Sequence, residues 1–248
     1  SWFRPVNMYV GPDGALYVAD WIDGWDTHNY GRIWKLDDLS AAGSAIRKEV
    51  KELLAADFSG RKEADLGQLL LHEDMRIRQK AQFELVKRKE SGAEIFRATL
   101  KRDNQLARIH AIWGMSQLAR QDKKKYGGTL VALLKDNDPE IRAQAARWLG
   151  DVRYDAGDLL VPLLKDTAAR ARFFAAEALG RIRYEPAIQP IIAMLADNND
   201  EDAYLRHAGA LALARIGKAE PVVALSTNPS RALRLAAVVA LRRMAHPG

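Results

Sequence analysis

One helical pattern recurs along most of this chain and restricts what the chain can fold into. An apolar residue is followed by Arg, then by a small residue three places after the Arg and a large apolar residue seven places after it. These spacings place the residues along one face of a helix with 3.6 residues per turn. The pattern occurs six times, 28 to 34 residues apart. Its Arg positions are Arg78, Arg108, Arg142, Arg172, Arg206 and Arg234.

Each copy is a pair of helices, and the helix that carries the repeat Arg is the second of the pair. A first helix is indicated before it by Leu70, Leu100, Leu134 and Leu164, each of which lies eight residues before a repeat Arg. The small residues of the pattern are Ala81, Ala111, Ala145, Ala175, Gly209 and Ala237, and the large ones are Leu85, Met115, Leu149, Leu179, Leu213 and Leu241. A helix pair of this size cannot bury its apolar face alone, so successive pairs are expected to stack. The fold class is therefore mainly α, an α-solenoid of about six short helix pairs. These residues resemble HEAT-type repeats over roughly residues 62–248.

The turns inside the repeats carry helix-start signals. Asn137-Asp138-Pro139-Glu140 predicts an N-cap, Pro in the first helical position and an acid in the first turn. Asn228-Pro229 predicts the same start in the last copy, and Asn198-Asn199-Asp200 predicts a longer turn in the fifth.

Residues 1–36 lack the repeat pattern and are rich in β-prone residues. The runs Phe3 to Val10 and Ala15 to Trp21 flank Gly11-Pro12-Asp13-Gly14, which is typical of a tight turn. A third short run, Arg32 to Leu36, follows a polar loop. We expect a hairpin extended to three strands, which is most of one blade of a β-propeller.

The ordered strands, followed by short helical repeats, resemble the last blade of membrane-bound dehydrogenases related to sorbosone and soluble quinoprotein glucose dehydrogenases. The residues that carry the resemblance are Phe3 to Val6, Val10 to Trp21 and Gly31 to Trp34. The resemblance implies a propeller, then HEAT repeats, then a cytochrome module with a Cys-x-x-Cys-His site. It implies haem c, and allows a quinone, in regions outside this chain, and an extracytoplasmic or periplasmic location. Because the chain begins at Ser1 without an initiator Met, we expect it to be part of a longer polypeptide.

Three domains are predicted: a propeller-blade remnant at 1–36, a linker at 37–61 and the repeats at 62–248. The linker contains an amphipathic pattern with Ile46, Val50, Leu53 and Leu54 on one face. Capping of the open end of the solenoid is one interpretation of this helix, and docking on a protein partner is the other.

Composition excludes several kinds of chemistry within the chain. It has 248 residues and no Cys, which excludes disulfides, thiolate nucleophiles and covalent haem attachment. The five His are scattered, with no pair at metal-ligand spacing, and no nucleophile elbow, Walker loop or dinucleotide motif is present. We therefore predict no catalytic, cofactor-binding or metal site, no transmembrane segment, and a chain that is not an enzyme. The net charge of +6 allows an acidic partner.

Two internal copies suggest an interaction surface. Arg153-Tyr154 and Arg183-Tyr184 each follow the end of a second helix. They order the turn between repeats in one interpretation, and form a contact strip in the other, since Tyr and Arg are enriched in binding hot spots.

The recurring Arg has two interpretations as well. It pairs with turn carboxylates such as Asp74, Asp103, Asp136 or Asp166 in a ladder along the stack, or it points into a groove and meets phosphates. A basic cluster at Lys123, Lys124 and Lys125 is expected near the end of a second helix and extends the candidate surface. Trp113 and Trp148, which could stack on bases, are expected in the core.

The sequence therefore predicts a non-catalytic scaffold that binds a protein partner or neighbouring domains of the same polypeptide, joining propeller and cytochrome modules. The alternative is a nucleic-acid-binding HEAT module with a basic groove.

Overall fold

The computed structural model describes residues 3–22 and 31–245. The chain divides into two compact units, Ser1–Ala81 and Gln82–Gly248. The division falls inside a helix, Met75–Lys87, while the predicted domain boundaries at residues 36 and 61 stay predictions. Within the described residues, no helix is both long and apolar enough to cross a membrane.

Unit 1 begins with a three-stranded antiparallel sheet of β1 (Pro5–Val10), β2 (Leu16–Asp20) and β3 (Arg32–Leu36), in that order. Gly14 takes a φ of 76° in the turn between the first two strands, which only Gly adopts without strain. The predicted three strands are confirmed, while the polar loop at 23–30 lies outside the described residues.

The sheet presents apolar side chains at its surface. All residues of β1 and β3 are exposed, and Met8 and Ile33 are 64% and 75% accessible. The middle strand β2 is covered, and the carboxylate of Asp20 accepts hydrogen bonds from the Arg4 N–H at 2.8 Å and from the indole of Trp34 at 2.8 Å. A buried acceptor therefore ties the three strands together.

Basic side chains connect the helices of unit 1 to backbone carbonyls. The helices are α1 (Ala45–Ala55), α2 (Glu63–Leu69) and the first part of α3 (Met75–Lys87). Lys80 Nζ donates to the Leu54 carbonyl at 2.8 Å, at the end of α1, where carbonyls lack helical partners. Arg47 of α1 donates to the Asp13 carbonyl at 2.7 Å.

Unit 2 is a succession of helix pairs. The second helices of the pairs are α5 (Gln105–Gln121), α7 (Pro139–Asp151), α9 (Ala169–Arg181), α11 (Ala203–Ile216) and α13 (Arg231–Met244). The first helices are α4 (Glu90–Thr99), α6 (Lys123–Val131), α8 (Gly157–Leu160), α10 (Ile188–Asn198) and α12 (Ala219–Val223). The predicted helix pairs are confirmed.

Several first helices are shorter than the second ones because they end in 3-10 turns. These turns are Ala132–Lys135, Val161–Lys165 and Ala224–Thr227. In the second of them Pro162 lies in the first turn, where its missing N–H costs no hydrogen bond.

The core runs between the second helices. The small and large residues of the pattern are buried throughout, apart from Leu241, which is half-buried because no further described helix covers α13. The helices approach closely at small residues: a Cβ on Gly150 would lie 2.6 Å from Cα of Ala178, and one on Gly180 would lie 2.7 Å from Cα of Ala212.

The helix starts agree with the sequence in one repeat and differ in another. Asp138 caps α7 by accepting from the Glu140 N–H at 2.9 Å, and Pro139 follows it. The predicted start at Asn228-Pro229 is wrong by two residues, because Asn228 accepts from the N–H of Ser230 and Ser230 is the cap of α13.

Candidate functional site

Helices α7 and α9 end in the same backbone motif. Arg153 and Arg183 have φ values of 50° and 56°, in the left-handed region. The N–H of the next residue, Tyr154 or Tyr184, donates five residues back, to Leu149 or Leu179, at 2.9 and 3.0 Å. This is a Schellman ending with Arg in the position that Gly usually takes.

The left-handed residue belongs to the repeat. It lies eleven places after the repeat Arg in five of the six copies, as Lys89, Arg153, Arg183, Gly217 and Ala245. Arg153 and Arg183 were predicted as part of a contact strip, whereas the left-handed backbone that all five residues share was not predicted.

The two tyrosines of the predicted contact strip face their own repeats. Both are half-buried, and each ring covers a glycine of the preceding first helix: a Cβ on Gly127 or Gly157 would lie 2.3 Å from Tyr154 or Tyr184. Tyr184 also donates its hydroxyl to Asp158, which raises its pKa. These tyrosines order the turn between repeats.

The two arginines of the strip, by contrast, reach a common space. Arg153 and Arg183 are exposed and line a concavity of about 480 Å³ at the C-terminal ends of α7, α9 and α11. Arg181 and Arg215 line it too, and we call the four residues and this space the arginine pocket. The other lining residues are Gly150, Asp151, Gly180 and Ala214.

Equivalent positions of successive repeats line the arginine pocket. Gly150, Gly180 and Ala214 hold the eighth place after successive repeat Arg residues. Asp151, Arg181 and Arg215 hold the ninth place, and the left-handed arginines hold the eleventh. Arg181 and Arg215 were missed from the sequence, although their common place in the repeat was a readable signal.

Positive charge is only partly neutralised in the arginine pocket. Arg181 pairs with Asp151, and Glu177 lies 3.5 Å from both Arg181 Nη2 and Arg215 Nη1. Burial lowers the pKa of Arg181, and the nearby charges of Arg215 and Arg147 lower it further. Nη1 of Arg215 is buried, and its approach to Glu177 is not a hydrogen bond.

The repeat Arg series forms contacts within and between repeats. In four copies Nη1 donates to carbonyls five and six residues earlier, as Arg142 does to Asn137 and Asp136 at 3.1 and 2.7 Å. The others are Arg78, Arg172 and Arg234. Their guanidiniums are thereby committed to the turns.

Of the six repeat arginines, Arg108 and Arg142 form ion pairs with the next repeat. Arg108 pairs with Asp136, and Arg142 donates to both carboxylate oxygens of Asp166 at 2.7 and 2.8 Å. Arg142 lowers the pKa of Asp166. The ladder is therefore present between these repeats, and it opposes the interpretation of these arginines as a phosphate groove.

The lysine cluster lies in a different place from the one expected. Lys123, Lys124 and Lys125 form the first turn of α6, not the end of a second helix, because Asp122 caps α6 immediately after α5 ends. All three are exposed. Lys125 pairs with Glu90 at 2.7 Å, which together with Arg97 lowers the pKa of Glu90 to about 2.

Lys123 extends to the motif that ends α7. Its Nζ lies 3.3 Å from the carbonyl of Arg153, so the lysine cluster touches the backbone that carries the arginine pocket.

Trp113 and Trp148 are half-buried rather than fully buried, so the expectation that they lie in the core is only partly met. The Trp113 indole donates to Gln144 at 3.0 Å, and its ring lies edge-on to the buried His110. The guanidiniums of Arg120 and Arg147 lie 5.1 and 5.2 Å from the Trp148 ring, so this ring already has cationic neighbours.

Among the described residues, no three His, Asp or Glu side chains come close enough to hold a metal ion. The arginine pocket contains hydrogen-bond donors but no paired nucleophile and base.

Comparison with known proteins agrees with this architecture. The family model described as HEAT repeats matches residues 128–214, which include the helices that carry most of the arginine pocket. The matched residues make up less than half of the chain, whose helix pairs have a HEAT/armadillo-like repeat architecture. No curated protein sequence matches it.

Several solved structures share the general arrangement at low identity. An engineered protein is 20% identical with a TM-score of 0.49, covering 75% of this chain and 97% of its own. A designed armadillo repeat protein in complex with the peptide (KR)4 is 18% identical, with a TM-score of 0.49 and coverages of 74% and 100%. An archaeal HEAT-like repeats protein from Thermococcus onnurineus is 14% identical, with a TM-score of 0.46 and coverages of 76% and 82%. The fold assignment rests on the repeats of this chain rather than on these likenesses.

Proposed function

We propose that this protein is a non-catalytic interaction scaffold that binds a peptide segment of a protein partner at the C-terminal ends of its second helices. The observation that carries the proposal is the concavity shared by three successive repeats, α7, α9 and α11. Repeat proteins create extended binding surfaces in this way, because equivalent positions of neighbouring repeats lie side by side.

The binding surface has the chemistry of a recognition site. Arg is enriched among residues that dominate interface energies, and its planar fork recognises carboxylates bidentately. Arg153 and Arg183 supply exposed side chains on a backbone that the Schellman bonds hold in place.

Selection from a random peptide library displayed on phage tests the proposal. We expect sequences to be enriched on the whole chain and to compete with one another for one site. Recovery of no sequence above background on the folded chain would contradict a scaffold that binds peptides.

The finer role, a link between propeller and cytochrome modules of an exported dehydrogenase, is part of the proposal. What supports it is the order β1-β2-β3, followed along the chain by helical repeats, and the exposed apolar side chains of β1 and β3. The haem c of such a parent, and a quinone where the parent uses one, would belong to the other modules, and its location would be extracytoplasmic or periplasmic.

The gene tests that role directly. Propeller blades encoded upstream and a Cys-x-x-Cys-His motif downstream would support it, whereas an unrelated reading frame on both sides would contradict it. This result is independent of the peptide selection.

Nucleic-acid binding is the second candidate, and the exposed Lys123 to Lys125 beside the arginine pocket is the observation that favours it. Labelled duplex DNA should then bind at about 50 mM salt and weaken by orders of magnitude at about 200 mM. Absence of binding at low salt removes this candidate.

A further inference from the structure

We infer that the arginine pocket binds an extended peptide in which acidic residues occupy alternate positions. The inference rests on the proposed function and names the chemistry and the spacing of the partner. It is carried by three features of unit 2: an excess of guanidiniums over the carboxylates that pair with them, the close spacing of the helices that bear them, and the size of the concavity.

Charge selects an anionic partner. Four guanidiniums line the arginine pocket, and Asp151 is the carboxylate among its lining residues. Asp151 is already engaged by Arg181, and Glu177 lies at 3.5 Å from Arg215 without forming a hydrogen bond. An incoming carboxylate would pair with the exposed guanidiniums of Arg153 and Arg183 and would reduce the repulsion between Arg181 and Arg215.

Size favours a segment over a single ion. The concavity of about 480 Å³ lies within the range of sites that hold drug-sized ligands, roughly 300–1,000 Å³. A lone phosphate or carboxylate would fill only a small part of this volume.

Spacing favours alternation of the acidic residues. Helices packed through small residues, as at Gly150 with Ala178 and Gly180 with Ala212, lie near the short end of the usual interaxial range, about 8 Å. In an extended peptide, residues two apart are separated by about 7 Å and point to the same side. Acidic side chains at alternate positions therefore match guanidiniums from successive repeats, whereas adjacent ones point to opposite sides.

The test compares two labelled peptides of equal composition by fluorescence anisotropy with the whole chain at about 100 mM salt. In one peptide three Glu alternate with Ser, and in the other the three Glu are adjacent. We expect the alternating peptide to bind at least about tenfold more tightly. Equal affinity for the two peptides, or no binding of either, would overturn the inference.

Matched variants locate the binding site. Arg153→Gln with Arg183→Gln removes two exposed charges from the arginine pocket, and Lys135→Gln with Lys165→Gln removes two exposed charges, also 30 residues apart, elsewhere in the same repeats. We expect the first pair to weaken binding of the alternating peptide about tenfold or more and the second pair to leave it nearly unchanged. An equal loss in both would show general charge attraction and overturn the inference.

A third variant separates charge from hydrogen-bond geometry. Arg215→Lys keeps the charge but replaces the guanidinium fork with a point charge. We expect it to weaken binding of the alternating peptide by several-fold while its circular dichroism and unfolding midpoint stay near those of the parent. Unchanged affinity would contradict direct recognition by Arg215.

The outcomes separate this inference from the proposed function. Library sequences that bind the chain without acidic alternation, and that ignore the Arg153 and Arg183 variants, would leave the scaffold in place and overturn the inference. Duplex DNA that binds the arginine pocket more tightly than the alternating peptide would overturn it as well.

Discussion

At the scale of single residues, the left-handed position after each second helix is the feature with the clearest energetic consequence. Arg153 and Arg183 occupy it with φ near 50°, whereas the fifth repeat has Gly217 there with φ of 83°. This left-handed conformation costs a residue with a Cβ about 1–2 kcal/mol, and it costs Gly much less. Arg153 and Arg183 therefore lower the stability of these turns relative to Gly, while they place their side chains in the arginine pocket.

Replacement by Gly should recover part of that cost. We expect Arg153→Gly and Arg183→Gly each to raise the free energy of unfolding by about 0.5–1 kcal/mol, after the larger entropy of Gly in the unfolded chain is subtracted. Denaturant unfolding followed by circular dichroism measures it.

The control is Ala193→Gly, an exposed position inside α10 with ordinary helical backbone. It should lower the free energy of unfolding by about 1 kcal/mol. A loss of stability in the arginine variants as large as in this control would contradict the assigned backbone conformation.

At the scale of elements, the spacing between second helices depends on small residues at their crossings. Gly150 leaves no room for a Cβ against the backbone of Ala178, whereas a Cβ on Gly128 of α6 would meet its nearest atom only at 3.7 Å. The backbone of a packed helix cannot move aside as the end of a side chain can.

Gly150→Ala should therefore lower the free energy of unfolding by about 1–3 kcal/mol, because α7 and α9 must separate. Gly128→Ala is the matched control and should raise it by about 0.5–1 kcal/mol through helix propensity. The same sign for both substitutions would contradict the crossing geometry, and chemical denaturation measures both.

The ion pair of Arg142 with Asp166 joins the α7 repeat to the α9 repeat with little exposure, 16% and 9% of the two side chains. A double-mutant cycle with Arg142→Met and Asp166→Asn should give a coupling of about 1.5–3 kcal/mol at pH 7. The exposed pair of Lys125 with Glu90 is the control and should couple more weakly.

The same pair predicts a pH dependence. Arg142 lowers the pKa of Asp166 in the folded protein. The contribution of this ion pair to the free energy of unfolding is therefore complete above the unfolded pKa of Asp, about 3.9, and is lost as the pH falls through the lower pKa of the folded state. The stability difference between the parent and Asp166→Asn should therefore shrink below about pH 4. A constant difference from pH 7 to pH 2.5 would contradict the pairing.

At the scale of the whole molecule, unit 2 contains its own core. Leu85, Phe96, Ile112 and Met115 are fully buried at its beginning, and the Phe96 ring covers Gly114. A chain of stacked repeats is stabilised mainly by contacts between neighbours, so removal of terminal elements should have graded effects.

A chain of residues 75–245, which keeps α3 whole, should unfold cooperatively with strongly helical circular dichroism. A chain of residues 104–245 lacks Leu85 and Phe96 and should unfold at a clearly lower denaturant concentration. A disordered 75–245 chain would contradict the division into two compact units.

Much of the architecture was predictable because its determinants are local. The Arg-small-large spacing predicted the second helices and their buried faces, and the Gly11 to Gly14 turn predicted the hairpin. The Asp138 cap was readable for the same reason, since a cap acts within three residues of itself.

The sequence by itself therefore determined a stack of paired helices, since periodicity states which face of each helix must be buried. Only the tertiary structure decided that Tyr154 and Tyr184 pack on glycines while Arg153 and Arg183 join Arg181 and Arg215 around one concavity. Those contacts join residues that are separated along the chain by about the length of one or two repeats. Whether such residues meet depends on how closely neighbouring helices approach and how their last turns end, and no local pattern in the chain encodes either quantity.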